Sequence, residues 1–149
     1  MDRLKLYQKL KVRVQLIRDS PTMPEVVIKN ANDLYLILKD EVKKWDREKF
    51  LSVMLNAQNQ IIGVDEVSVG SLTATVVHPR EVFKSAILAN AAAIILVHNH
   101  PSGNLNPSKE DKEVTEKIKK AAEILNINFL DHIIITKNGY TSLSEIING

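Results

Sequence analysis

Apolar positions along the chain fall into runs whose spacing changes several times. Val12-Arg13-Val14-Gln15-Leu16 alternates and predicts a strand with one buried face. "RDSPTMPE" (18–25), with two prolines, punctuates its end as the one hinge in the chain. In "NANDLYLILKDEVKKW", Leu34, Ile37, Leu38 and Val42 recur at helical spacing, with Asn30 or Asn32 as the cap. "FLSVMLNAQNQIIGVDEVSVGSLTATVV" predicts two or three strands, broken near Asn56 to Asn59 and at Gly70. "HPREVFKSAILAN" is a helix with Pro79 in its first turn, where a missing N–H costs nothing.

"AAAIILV" is continuously apolar, as a strand covered on both faces must be. "SKEDKEVTEKIKKAAEILN" follows as a long amphipathic helix with Val114, Ile118, Ala121, Ala122 and Leu125 on its buried stripe. "FLDHIIIT" is a further buried strand, "KNGY" a turn and "TSLSEIING" a closing tail. Strands interleaved with helices predict a single α/β domain of two or three layers. Residues 1–23 are expected as an N-terminal strand and linker, and 24–149 as the domain proper.

Composition narrows the classes. A chain of 149 residues can bury a real core, and 44% apolar with 26% charged content is ordinary for a soluble globular protein. No run approaches the ~18 apolar residues of a membrane span, and MDRLKLYQKLKVRV does not read as a signal peptide. Cysteine is absent, which excludes disulfides, thiolate metal sites and a cysteine nucleophile, and fits an expected cytoplasmic location. The net charge of +2 and an aromatic content of 5% give nucleic-acid binding through this domain little basis. Arg3, Lys5, Lys9, Lys11 and Arg13, and the group Lys117, Lys119 and Lys120, read better as solvated helix faces.

The stretch that does not read as scaffold is "LVHNHPSGNLNPSKED" (96–111). His98 and His100, two apart on an extended segment, project to one side. Asp111 joins them if the loop through Gly103 and Pro107 folds the next helix start back over the strand end. Two imidazoles and a carboxylate are a recurring catalytic zinc set that leaves the fourth position open. Ser108-x-x-Asp111 is equally a good helix start, a cap followed by an acid in the first turn, and the two roles can coexist. Nucleobase deaminases require P-C-x-x-C, which a chain without cysteine cannot supply, and there is no H-E-x-x-H. Gly-rich phosphate loops are absent as well.

His98-Asn99-His100, seven residues, then Ser108-x-x-Asp111 is the H-x-H-x(7)-S-x-x-D pattern of the JAMM (MPN+, JAB) metalloisopeptidases. More closely, "HPREVFKSAILANAAAIILVHNHPSGNLNPSKED" and "LDHIII" resemble the RadC family, a bacterial JAB-domain branch historically labelled DNA repair. The similarity runs from about Pro24 to the C-terminus. It implies a mixed-sheet α/β fold of JAB/MPN type, related to that of the cytidine deaminases. It further implies one Zn²⁺ held by His98, His100 and Asp111, Ser108 assisting an oxyanion, and an upstream glutamate as general acid and base. In RadC-like chains that glutamate precedes the strand matching "FLSVML", which points to Glu48; Glu66 and Glu81 compete, Glu81 reading better as a first-turn acid.

The substrate so implied is a peptide or isopeptide amide. Asp131 or His132 can support the ligating histidines, which usually donate their other N–H to an acceptor, and the pair reads at least as well as the polar start of a strand. Two departures stand out. Asn99 occupies the place where eukaryotic-type JAMM proteases tend to have Ser or Thr, and is the residue RadC chains carry. The helix-hairpin-helix module that often opens full-length RadC-like proteins has no counterpart in the first twenty-five or so residues. The competing classes are a non-catalytic JAB interaction module and a DNA-repair accessory protein. An N/N/O site also accepts iron or manganese, and an edge strand leaves a homodimer open.

Overall fold

The strand Ala93–Asn99 (β3) organises the molecule, and all seven of its residues are buried. Its alternate side chains enter two separate cores, which is why it reads as continuously apolar. Ile94 and Leu96 pack with Phe50, Val82, Phe83, Val114 and Ile118. Ala93, Ile95 and Val97 pack with Leu34, Val42, Leu51, Ile133 and Ile135. The computed structural model in which these contacts are seen describes residues 3–70 and 77–144.

The other strands, in chain order, are β1 (Lys49–Leu55), β2 (Ile61–Val69), β4 (Asn128–Thr136) and β5 (Gly139–Ser142). They form a five-stranded mixed sheet of order β2-β1-β3-β4-β5 in which only β3 and β4 run parallel. The described helices are α1 (Arg3–Leu10), α2 (Ala31–Val42), α3 (Pro79–Leu88) and α4 (Lys109–Leu125). Leu34 and Val42 of α2 enter the core on one face of the sheet, while Val82 and Phe83 of α3 and Val114 and Ile118 of α4 enter that on the other. Helices on both faces of a mixed sheet make a three-layer α/β domain, the arrangement that the resemblance to the JAB/MPN type implies.

Local chemistry accounts for most boundaries. Asn30 caps α2 by accepting from the Asp33 amide at 3.0 Å. The β1–β2 turn at Asn56 to Asn59 closes through the Asn56 side chain, which accepts from the Gln58 and Gln60 amides. Asn126 ends α4 in the left-handed conformation, φ 56°. β3, α4 and β4 form the one parallel crossover, so the carboxyl end of β3 meets the N-terminus of α4. That is where α/β sheets place their sites.

Three readings differ from what is seen. Leu125, expected on the buried stripe of α4, is its last residue and is 41% exposed, because the stripe leaves the sheet with Ala122. Val12 to Leu16 is in no strand; Val12 is 82% and Val14 75% exposed, and a helix, α1, precedes them. Alternation makes a strand only where a partner edge and an apolar face are offered. Here the outer edge of β2 receives a side chain instead, the Arg18 guanidinium donating to the Ile62 carbonyl. At the other end, the expected tail begins as β5, which pairs antiparallel with β4 from Ile133↔Ser142 to Thr136↔Gly139. "KNG" between two β-prone runs was the hairpin signal. A third strand between β1 and α3 would fall on residues 71–76, and the end of the tail on 145–149, both outside the described residues.

Candidate metal centre

β3 carries His98 on the face shared with α4, and His100 follows as the strand gives way to loop. Their rings meet edge to face, centroids 5.0 Å apart. Asp111 comes from the first turn of α4, whose start is set by a reciprocal capping box. The Asp111 amide donates to Ser108 Oγ at 3.0 Å, and the Ser108 amide donates to Asp111 Oδ2 at 2.7 Å. The cap therefore aims the carboxylate back at β3. Asp111 Oδ1 lies 3.2 Å from His98 Nδ1 and Oδ2 lies 3.1 Å from His100 Nε2. Potential ligand atoms of the three residues all lie within 4.8 Å of one another.

The loop from Pro101 to Pro107 is pinned to the β4–β5 hairpin. Asn138 Nδ2 donates to the Gly103 carbonyl at 3.1 Å and Thr141 Oγ1 to the Leu105 carbonyl at 2.6 Å. Gly103 sits at φ +86°, and a Cβ there would come within 2.8 Å of Asn138 Nδ2. Only glycine suits that turn. The fixed loop presents the Asn104 carbonyl to His100 Nδ1 at 2.8 Å. A carbonyl only accepts, so Nδ1 carries the proton and Nε2 is the nitrogen turned to Asp111.

The electrostatics fit a cation. Burial works against ionisation of Asp111, which is 1% exposed, but hydrogen bonds from His100, His98 and the Ser108 amide outweigh it. They hold its carboxyl far below the usual range. The bond to Asp111 is the main reason that His100 is raised, with burial opposing and the Asn104 carbonyl assisting. The His100 nitrogen and the Asp111 carboxylate that favour a proton between them are the pair a divalent cation could engage in its place. His98 Nε2, in a side chain only 2% exposed, has no hydrogen-bond partner among the described residues. A bare buried nitrogen beside a carboxylate and a second imidazole is the donor set that a metal satisfies. These residues could hold one.

Of the candidate glutamates, the structure brings Glu48 to this cluster. Its Oε2 lies 3.8 Å from His98 Nε2, and it lines, with His100 and Ser108, an open cleft of about 690 Å³. Glu66 on β2 pairs instead with Lys49 at 3.1 Å, and Glu81 with Lys84 at 2.9 Å in the first turn of α3. Ser108 caps with a lone pair, which leaves its O–H proton free to serve the cleft.

Asp131 is not at the site; it accepts from Ser142 Oγ of β5 and from the Ser144 amide just past it, tying β4 to both. His132 reaches the cluster through Thr115, a residue that sequence reasoning passed over. Thr115 Oγ1 donates to the Asp111 carbonyl at 2.8 Å and lies 2.7 Å from His132 Nδ1. One hydroxyl has one proton, so His132 Nδ1 is the donor in the second bond. The signal for Thr115 was its place four residues after Asp111, where a helical threonine bonds the i−4 carbonyl.

Burial, reinforced by the nearby His98, pushes His132 down to about 3. A neutral buried base confers stability above its unfolded value near 6.5 and loses it as the pH falls toward its folded value. In the metal-free protein, urea unfolding from pH 6.5 to 4 is expected to show stability falling at up to ~1.4 kcal/mol per pH unit. His100, being raised, contributes its change above 6.5, and Asp111, being lowered, below its unfolded value near 3.8. An H132N variant should flatten the slope between pH 4 and 6; a slope it leaves intact would assign the effect elsewhere.

Comparison with known proteins places these features in company. The family model described as "RadC-like JAB domain" matches residues 28–148. A UPF0758 protein of Moorella thermoacetica is 52% identical over 124 residues, covering 83% of this chain and 54% of its own length. One from Methanosarcina mazei is 45% identical over 122 residues (82% and 53%), and one from Desulforamulus reducens 44% over 139 residues (91% and 61%). The chain thus spans little more than half the length of the relatives it matches.

Proposed function

Because the chain belongs to the RadC-like JAB domain family, we propose that it is a zinc-dependent metallopeptidase or isopeptidase hydrolysing an amide bond. The observation that carries this reading is the convergence of His98, His100 and Asp111 on one point beside Glu48 and an open cleft. Two neutral nitrogens and one carboxylate suit zinc. When bound there, zinc would supply Lewis-acid polarisation of a carbonyl and bring a water's pKa down toward ~7.

The chain's own groups supply the rest. Glu48, partly exposed at the cleft wall, takes a proton from the attacking water and returns it to the leaving amine. Ser108 donates its hydroxyl proton to the oxygen that becomes negative as the carbonyl carbon turns tetrahedral; removing such a donor typically costs about 2.7–4 kcal/mol of transition-state stabilisation. Asn104 holds His100 in the tautomer that keeps Nε2 available. The loop pinned by Asn138 and Thr141 keeps that geometry before substrate arrives. The cleft opens to the surface along a wall of Arg47, Pro101, Asn104 and Asn106, which suits an extended, polar peptide. No helix among the described residues is long and apolar enough to cross a membrane.

The test is elemental analysis of purified protein alongside a His98→Ala/His100→Ala double variant. About one zinc per chain in the first and close to none in the second is expected. A wild-type protein that stays empty when zinc is supplied at neutral pH would overturn the reading and leave a JAB module that binds partners without chemistry. Lowering the pH through the raised range of His100 should release the metal, since protons compete for the same nitrogens.

A further inference from the structure

We propose that Asn99, the residue between the two histidines, is the positioning residue for Glu48. The inference rests on the reading of Glu48 as the proton carrier. Asn99 ends β3 and is 1% exposed. Its Oδ1 accepts from the Lys49 amide at 2.6 Å, and its Nδ2 donates to the Arg47 carbonyl at 3.0 Å. These are the peptide groups on either side of Glu48. The Glu48 carbonyl itself accepts from the Gly70 amide at 2.7 Å. Glu48 is thus gripped at three backbone points, two of them by a single side chain.

The location explains why a side chain is needed. The pairing of β1 with β3 ends at Phe50↔His98, so Glu48 lies beyond the regular ladder, where a strand end would otherwise fray. Asn99 extends the pairing with its amide, which carries one acceptor and two donors on a short stem. Aspartate has the same shape but offers the Arg47 carbonyl a second acceptor; leucine offers neither group; serine has one oxygen and a shorter reach. The consequence is that neighbouring residues of one rigid strand set two positions. His98 faces the metal cluster, and Asn99 fixes the origin of the carboxylate that lies 3.8 Å from it. Without the clamp the carboxylate keeps its chemistry and loses its address.

The experiment uses the full chain loaded with Co²⁺, in wild type, E48Q, N99D, N99L and the N99D/E48Q double variant. All are expected to take up about one Co²⁺ per chain, because none of these residues is in the ligand set. The pH midpoint of the visible Co²⁺ bands should move in E48Q, move by the same amount in N99D, and move no further in the double variant. An N99D midpoint that stays at the wild-type value while E48Q shifts would overturn the proposal. N99D preserves volume, so the test stands even where N99L fails to fold.

In the metal-free protein the side-chain carboxyl ¹³C resonance of Glu48 is expected to shift in N99D while that of Glu110 stays; a Glu48 resonance that does not move would also overturn it. Wild type that takes up no Co²⁺ would count against the metallopeptidase reading, and the carboxyl resonance would then decide the clamp by itself.

Discussion

Asp111→Ala is expected to strip the domain of its metal and to destabilise the metal-free fold by about 3–5 kcal/mol, the range found when one partner of a buried ion pair is removed. Three losses coincide at that carboxylate. His98 and His100 lose their acceptor, the capping box at the start of α4 loses its return bond to the Ser108 amide, and a cavity opens beneath a buried helix turn. Asp111→Asn separates the contributions. It keeps the volume and an oxygen that can accept from Ser108, so most of the stability should return, but without the charge the metal should not. Urea unfolding of metal-free protein reads the first quantity and elemental analysis the second. Full metal content in the alanine variant would remove Asp111 from the ligand set, and unfolding within ~0.5 kcal/mol of wild type, the usual surface range, would reduce its structural role to nothing.

Glu48→Gln should leave metal and fold in place and lower turnover of a cleavable peptide by about 10²- to 10⁴-fold, the usual contribution of a positioned general acid–base. Glutamine retains shape and hydrogen bonding but cannot take the proton. Glu48 is partly exposed at the cleft, so little stability is at stake. Glu66→Gln is the internal control: its carboxylate pairs with Lys49 on the sheet surface, and turnover within a few-fold of wild type is expected. A large loss in Glu66→Gln with none in Glu48→Gln would exchange the two assignments.

The elements that could be read from the sequence are those whose cause is local. The all-apolar run of β3, the proline opening α3 and the Ser108 cap of α4 each announce themselves within a few residues, and each stands where the spacing put it. His98, His100 and Asp111 were legible because one loop of fixed length joins them. What was not legible depends on partners distant in the chain. The alternation at Val12 to Leu16 lacks a paired edge, and β5 is a strand because β4 lies beside it. Asn99 grips peptides some fifty residues earlier, and Asn138 and Thr141 hold a loop about thirty-five residues upstream. Asp131 and His132 looked equivalent in "LDHIII". Strand alternation sends His132 toward the α4 side and Asp131 toward Ser142 on β5, and only His132 reaches the cluster.

The double service of Asp111 and Ser108 bears on how other chains of this architecture should be read. A helix that must begin at this point needs a hydroxyl and an acid three residues apart whether or not any chemistry takes place. A descendant that had abandoned hydrolysis would therefore keep both, under selection for folding alone. His98, His100 and Glu48 take no part in that cap. Their joint survival or decay, with S-x-x-D intact in either case, is the mark by which working sites and retired ones can be told apart.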